Sequence, residues 1–247
     1  MLQPTDELQV KRLDRAVLQL TLARSARANA LSESLVEALL AALAEAEREQ
    51  MRLVIFRGEG KNFCSGFDLS DLAEQKDADL VRKLIRIEEL LQRVAYASFL
   101  TLALAHGRVM GAGADLFCAC SERVAAPGTV FRMPGWRFGI ALGTRRLAAR
   151  IGTDAARRVL LESKQFDAGE ALEMRFATMI APESGWPEVI ERASRQAHAL
   201  DWESMRRLLS LTIVDTRAED MAALVESSAR PGLKERIQQY RNSEKAR

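Results

Sequence analysis

The sequence of 247 residues is poor in the side chains that build metal and redox centres. It has three cysteines, Cys64, Cys118 and Cys120, and two histidines, His106 and His198. There is no CxxC pair, and two of the thiols lie close together in an apolar stretch. Free buried thiols in a reducing compartment are therefore expected, not a disulfide framework, and a zinc site has too few soft ligands. A dominant charge is missing as well. With 36 basic and 34 acidic residues the net charge is +2, which argues against nucleic acid as a partner. No apolar run reaches the roughly 18 residues of a membrane span. The opening MLQPTDELQV lacks an apolar leader core. What is left is the expectation of a cytoplasmic globular protein, with no metal and no membrane partner.

The length, with 48% apolar and 28% charged residues, suits one large domain with a full core. Two strands are predicted at 7–12 and 15–22, meeting at LDR, and the second alternates apolar and polar residues. SESLVEALLAALAEAEREQ is rich in Ala, Leu and Glu with a serine to cap it, and reads as a helix. RLVIFRG (52–58) and FLTLALAHG are buried strands around an amphipathic helix over 77–97, and EGKNFCSGFDLSDL is a loop leading to a short helix. ERVAA and TVFRM read as short strands. From about 142 the chain turns helical, and from 186 wholly so. The reading is an α/β core over 1–185 and a helical region over 186–247. Its stripes (Met205, Leu208, Leu209, Leu211; Met221, Leu224, Val225) pack on the core or on a neighbouring subunit.

Two glycine loops each follow an apolar strand: FCSGFDL (63–69) and GAGADL (111–116). Glycine before a helix start lets backbone N–H groups face a ligand unobstructed, where the helix terminus adds partial positive charge. Two such donors aimed at one oxygen make an oxyanion hole. Other motifs fit less well. GAGADL lacks the third glycine of a dinucleotide fingerprint, and Ser65 is not in a Gly-x-Ser-x-Gly elbow. A Cys64–His106 thiol–imidazole pair has no support from spacing, so Cys64 reads as a buried thiol.

Together RANALS (27–32), FRGEGKNFCSGFDL (56–69), AHGRVMGAGADLFCACSERVAA (105–126) and FDAGEALEMRFATMI (166–180) closely resemble the crotonase superfamily, the enoyl-CoA hydratase/isomerase family. The resemblance implies a crotonase-like spiral of ββα units whose C-terminal helices assemble a homotrimer or hexamer. It implies an acyl-CoA thioester as partner and no separate cofactor, coenzyme A being part of the substrate. The thioester carbonyl would be polarised by the amides of Phe67 and Ala112, and Asp115 would be the acid/base. Arg27, Ala30, Gly66, Asp68, Gly111 and Trp136 would contact substrate, Arg27 through a phosphate.

The pattern has departures. Asp115 stands where the family's hydratases carry the first of two glutamates, one methylene longer; its alternative role is to cap a helix. The second glutamate, expected after Pro134, is replaced by Gly135, and GIALGTRRL is shortened by about three residues. Trp136 either lines an acyl pocket or packs in the core, and Arg137 reads as a surface residue in preference to a carboxylate ligand. Glu88 and Glu89 read as a solvated helix face, His106 as structural, and Ser121, Glu122 and Arg175 as structural departures, Arg175 replacing a helix-ending glycine. Hydration or double-bond isomerisation of an enoyl-CoA through a thioester enolate is the leading expectation. A thioester hydrolase or decarboxylase, or a silent acyl-CoA-binding subunit, is the alternative.

Overall fold

The computed structural model describes residues 6–245; residues 1–5, on which part of the leader reading rests, lie outside the described residues. Strands β1 (Leu8–Arg12) and β2 (Val17–Leu22) form an antiparallel pair, and helix α1 (Glu33–Arg48) returns the chain to β3 (Leu53–Gly58), parallel to β2. Helix α2 (Asp77–Ala95) leads to β4 (Leu100–Ala105), parallel to β3. Next come β5 (Arg108–Met110), α3 (Ala112–Ala119), β6 (Glu122–Ala125) and β7 (Val130–Arg132). Helices α4 (Thr144–Ile151) and α5 (Thr153–Glu162) precede β8 (Phe166–Asp167), α6 (Ala168–Glu173) and β9 (Met179–Ile180). Four helices end the chain: α7 (Trp186–His198), α8 (Trp202–Leu211), α9 (Arg217–Ser228) and α10 (Leu233–Lys245).

Two sheets result, one ordered β1-β2-β3-β4-β6-β9 and one ordered β5-β7-β8. A strand in the large sheet is followed by a strand in the small one and then by helix, as in β4–β5–α3. Repetition of that unit is the crotonase-like spiral.

The inner strands are buried on both faces, so they read as nearly unbroken apolar runs. Their alternation still sorts the layers. Val54, Phe56, Ala103 and Ala105 join the core with α1 and α2, whereas Leu53, Ile55, Leu102 and Leu104 face α7 through Trp186 and Val189. The aromatics concentrate where the small sheet meets α3. Phe117, Phe131, Phe166 and Phe176 form a cluster with ring centroids 5.0–5.4 Å apart, and Phe63 lies edge-on to Phe117. Each such ring, fully buried, contributes about 1.5–3 kcal/mol, which anchors α3 firmly.

Some elements differ from expectation. The short helix expected after FCSGFDL is a run of turns, because Asp68 accepts from both the backbone and the hydroxyl of Ser70 and holds a local turn. Strands β5, β8 and β9 were not expected; at two or three residues they have no periodicity to read. Arg175 takes φ +62°, so it occupies the left-handed position where a glycine is usual. Among the helices from Trp186 onward, α7 covers one face of the large sheet and α10 packs on α2, in line with packing on the core.

Candidate active site

The two glycine loops meet. Gly66 has φ +90°, and a side chain there would place its Cβ 2.5 Å from the Met110 carbonyl oxygen and 3.0 Å from the Ala112 nitrogen. A Cβ on Gly113 would collide with the Cys64 carbonyl. Glycine at both positions is thus what lets the loops interlock, with the Met110 amide donating to the Cys64 carbonyl at 2.9 Å. Leu31 donates to Gly66 and accepts from Asp68, which leaves the Phe67 amide between them outside the ladder. Ala112 is the first residue of α3, so its amide has no intrahelical acceptor. Among the described residues neither amide donates to a protein acceptor.

Phe67, Ala112 and Asp115 line one cavity of about 260 Å³. Its other walls are mainly apolar, including Leu69, Met110, Met133, Ile140 and Leu142, with Ile237 and Tyr240 of α10. Asp115 is the only carboxyl among its lining residues. Gly135 lies in the wall and supplies no side chain. Trp136 also lines the cavity; it is 45% exposed and its indole N–H donates to Thr144 Oγ1 at 3.1 Å, so the core-tryptophan alternative is excluded. Arg137 is exposed and donates to the Glu162 carbonyl, in keeping with a surface role.

Asp115 does not cap a helix. It sits in the first turn of α3, whose N-cap is Gly111, and its own amide donates to the Gly111 carbonyl. The side chain is buried, and Oδ1 has no protein partner. Burial pushes the carboxyl well above the ordinary range; the Arg146 charge pulls down and the Glu88 charge pushes up. The neutral acid is thereby favoured. Gly143, at φ +62°, packs so tightly on Asp115 Oδ1 that any Cβ there would collide with it.

Glu88 corrects a sequence expectation. It is 1% exposed, not solvated, and is held in a two-pronged ion pair by the buried Arg146. Arg146 also reaches Asp220 of α9 at 3.1 Å. Glu89 does lie toward solvent, paired with Arg86. The Arg146 cluster escapes sequence reading because its members come from three helices; the one clue is that Arg146 adjoins Leu147 on the buried stripe of α4.

The remaining expected residues lie along the rim or behind it. Asn29, buried at φ +54°, accepts from the Arg24 amide and donates to the carbonyls of Glu59 and Asn62, pinning the RANALS loop. Arg24 bonds the Ala30 carbonyl at 2.6 Å and pairs with Asp68 at 2.9 Å, so Ala30 and Asp68 are engaged within the protein. Arg27 is exposed; none of Arg27, Ala30 and Asp68 lines the cavity. Gly66 and Gly111 flank the amides. Cys64 and His106 are not a catalytic pair. Burial raises the Cys64 thiol to about 12, and His106 Nε2 bonds the Gly60 carbonyl.

Comparison with known proteins points to one family. The enoyl-CoA hydratase/isomerase family model matches residues 12–242. A probable enoyl-CoA hydratase, echA6, of Mycobacterium bovis is 33% identical over 183 residues, covering 72% of this chain and 73% of that one. A probable enoyl-CoA hydratase of Bacillus subtilis is 30% identical, covering 74% and 72%. The crystal structure of a Bordetella parapertussis protein, assigned by name to the enoyl-CoA hydratases/isomerases, superposes with a TM-score of 0.93 at 45% identity, covering 95% of this chain and 98% of that one.

Proposed function

Because the chain belongs to the enoyl-CoA hydratase/isomerase family, we propose that it binds an acyl-CoA thioester and moves a proton at the enolate stage, with double-bond isomerisation of an enoyl-CoA as the reaction. The observation that carries this is one carboxyl, Asp115, in an apolar cavity beside two unengaged amides, Phe67 and Ala112. The amides take the thioester oxygen and stabilise its negative charge, each contributing about 3 kcal/mol at the transition state. Asp115 takes a proton from one carbon and returns it to another. Hydration divides its work between two carboxylates, and Gly135 removes the second. Isomerisation needs one.

The raised carboxyl of Asp115 favours a second reading, decarboxylation. The C–C bond to the carboxylate of a malonyl-type thioester breaks, the carboxylate leaves as CO2, the bond's electron pair becomes the enolate, and Asp115 gives its proton to the α-carbon. Solvent then reprotonates Asp115.

The test is turnover of 3-enoyl-, crotonyl- and malonyl-CoA against pH, followed by thioester absorbance and mass spectrometry. Isomerisation begins with ionised Asp115, so its rate rises with pH through the raised carboxyl range; decarboxylation begins with the acid and falls. Asp115→Asn is expected to lose turnover by about 10²–10⁴ while keeping ester binding. Undiminished turnover in that variant removes Asp115 from the chemistry, and binding without any product overturns the enzymatic reading.

A further inference from the structure

Behind the cavity, outside its lining, lies a buried ion cluster; such clusters are often no more stabilising than apolar packing. Arg146 is 6% exposed, with Glu88 at 1% and Asp220 at 5%. Its Nη1 donates to Glu88 at 2.8 Å and to Asp220 at 3.1 Å, and Nη2 closes the fork on Glu88. The cluster joins α2, α4 and α9. Arg146 stands three residues after Gly143, whose backbone abuts Asp115 Oδ1.

We propose that Arg146 is a positioning residue, and that the Glu88–Arg146–Asp220 cluster seats the first turn of α4 against Asp115 and sets which protonation state Asp115 rests in. This rests on the reading of Asp115 as the group that moves the proton.

One buried guanidinium already answers two carboxylates, and Arg145 meets Asp220 from the half-exposed side. An ionised Asp115 would be a third carboxylate around Arg146, in low dielectric where charges are felt strongly. The charged or titratable groups around Asp115 are Glu88 from α2, Arg146 from α4 and the Cys118 thiol from its own helix, with Asp220 of α9 beyond Arg146; across the cavity stand Arg108 of β5, Arg132 of β7, paired with Glu244, and Tyr240 of α10. Burial holds the proton on Asp115; Arg146 opposes that hold and Glu88 supports it, so the balance within the cluster tunes how firmly the proton is kept. Arg146 lies in the first turn of α4, and the fork to Glu88 fixes that turn against α2. Gly143 is then held on the carboxyl with no room for a side chain between them.

The test follows the carbonyl band of protonated Asp115 by infrared difference spectroscopy against pH, assigned by its loss in Asp115→Asn. Glu88→Gln removes a like charge and is expected to lower the titration midpoint by about one pH unit. Arg146→Gln removes the countercharge and is expected to raise it. A purely structural role would cost stability in both variants and leave the midpoint in place. An unmoved midpoint in folded Glu88→Gln overturns the proposal. Should that variant not fold, Asp220→Asn carries the same test with the same expected direction. The spectroscopic readout needs no turnover. A midpoint that moves while no thioester reacts keeps the cluster assignment and refutes the functional reading; an unmoved midpoint with active enzyme does the reverse.

Discussion

At the residue scale, Asp115 is held at a cost. It is buried with one oxygen unpartnered, and burial raises its carboxyl above the unfolded-state value of about 4. The native state therefore binds a proton that the unfolded chain releases. That contribution is complete below the unfolded value and is lost as pH rises toward the raised native value. Asp115→Asn cannot ionise, so it is expected to be more stable than the parent at neutral and higher pH. The difference should vanish in acid, as thermal melts across pH will show; each kcal/mol moves the midpoint by about 2–4 °C in a chain of this size. A gain in stability with a loss of turnover is the usual mark of a functional buried acid. Asp115 and the glycines around it were legible in the sequence because a glycine loop and a helix start are local events. Glu88 and Arg146 were not: a glutamate on an amphipathic helix looks solvated until another helix brings a cation to it.

At the scale of elements, α3 is the pivot. All eight of its residues are buried, so its last carbonyls cannot turn to water. Arg150 donates to the Cys118 carbonyl, and Arg123 closes the chain just past the helix, donating from Nη1 to the Cys120 and Ser121 carbonyls, while Nε and Nη2 reach Phe176 and Arg175 beyond α6. One side chain thus closes the ends of two helices. Burial, with Arg150 nearby, lowers the guanidinium to about 10. Arg123→Met leaves four carbonyls without this donor and is expected to cost about 3 kcal/mol or more, read from urea denaturation. Helices α1 and α2 and strands β2 to β4 were legible because each carries enough residues for an apolar stripe or alternation. Arg123 lies within a strand and gives no such signal, since what it satisfies is set by how the chain returns around it.

At the scale of the molecule, α10 completes the cavity. The Asp77 carboxylate accepts from the amides of Gly232, Leu233 and Lys234 at 2.9–3.0 Å, and Arg132 pairs with Glu244 at the other end. Those amides hold Asp77 below the usual carboxylate range, so its contribution is present above the unfolded value and is lost as pH falls through the lower native one. Asp77→Asn is expected to weaken the docking of α10 by about 1 kcal/mol. Hydrogen exchange should then quicken over 233–244, and the KM for acyl-CoA should rise more than kcat falls.

The seam at Gly66 and Gly113 has one more consequence. Neither segment owns the paired Phe67 and Ala112 amides; the pair exists only once the two are zipped together, across a stretch of chain that includes all of α2 and β4. That pairing is therefore an all-or-none property of the finished tertiary structure, and no excised fragment holding a single loop will inherit part of it.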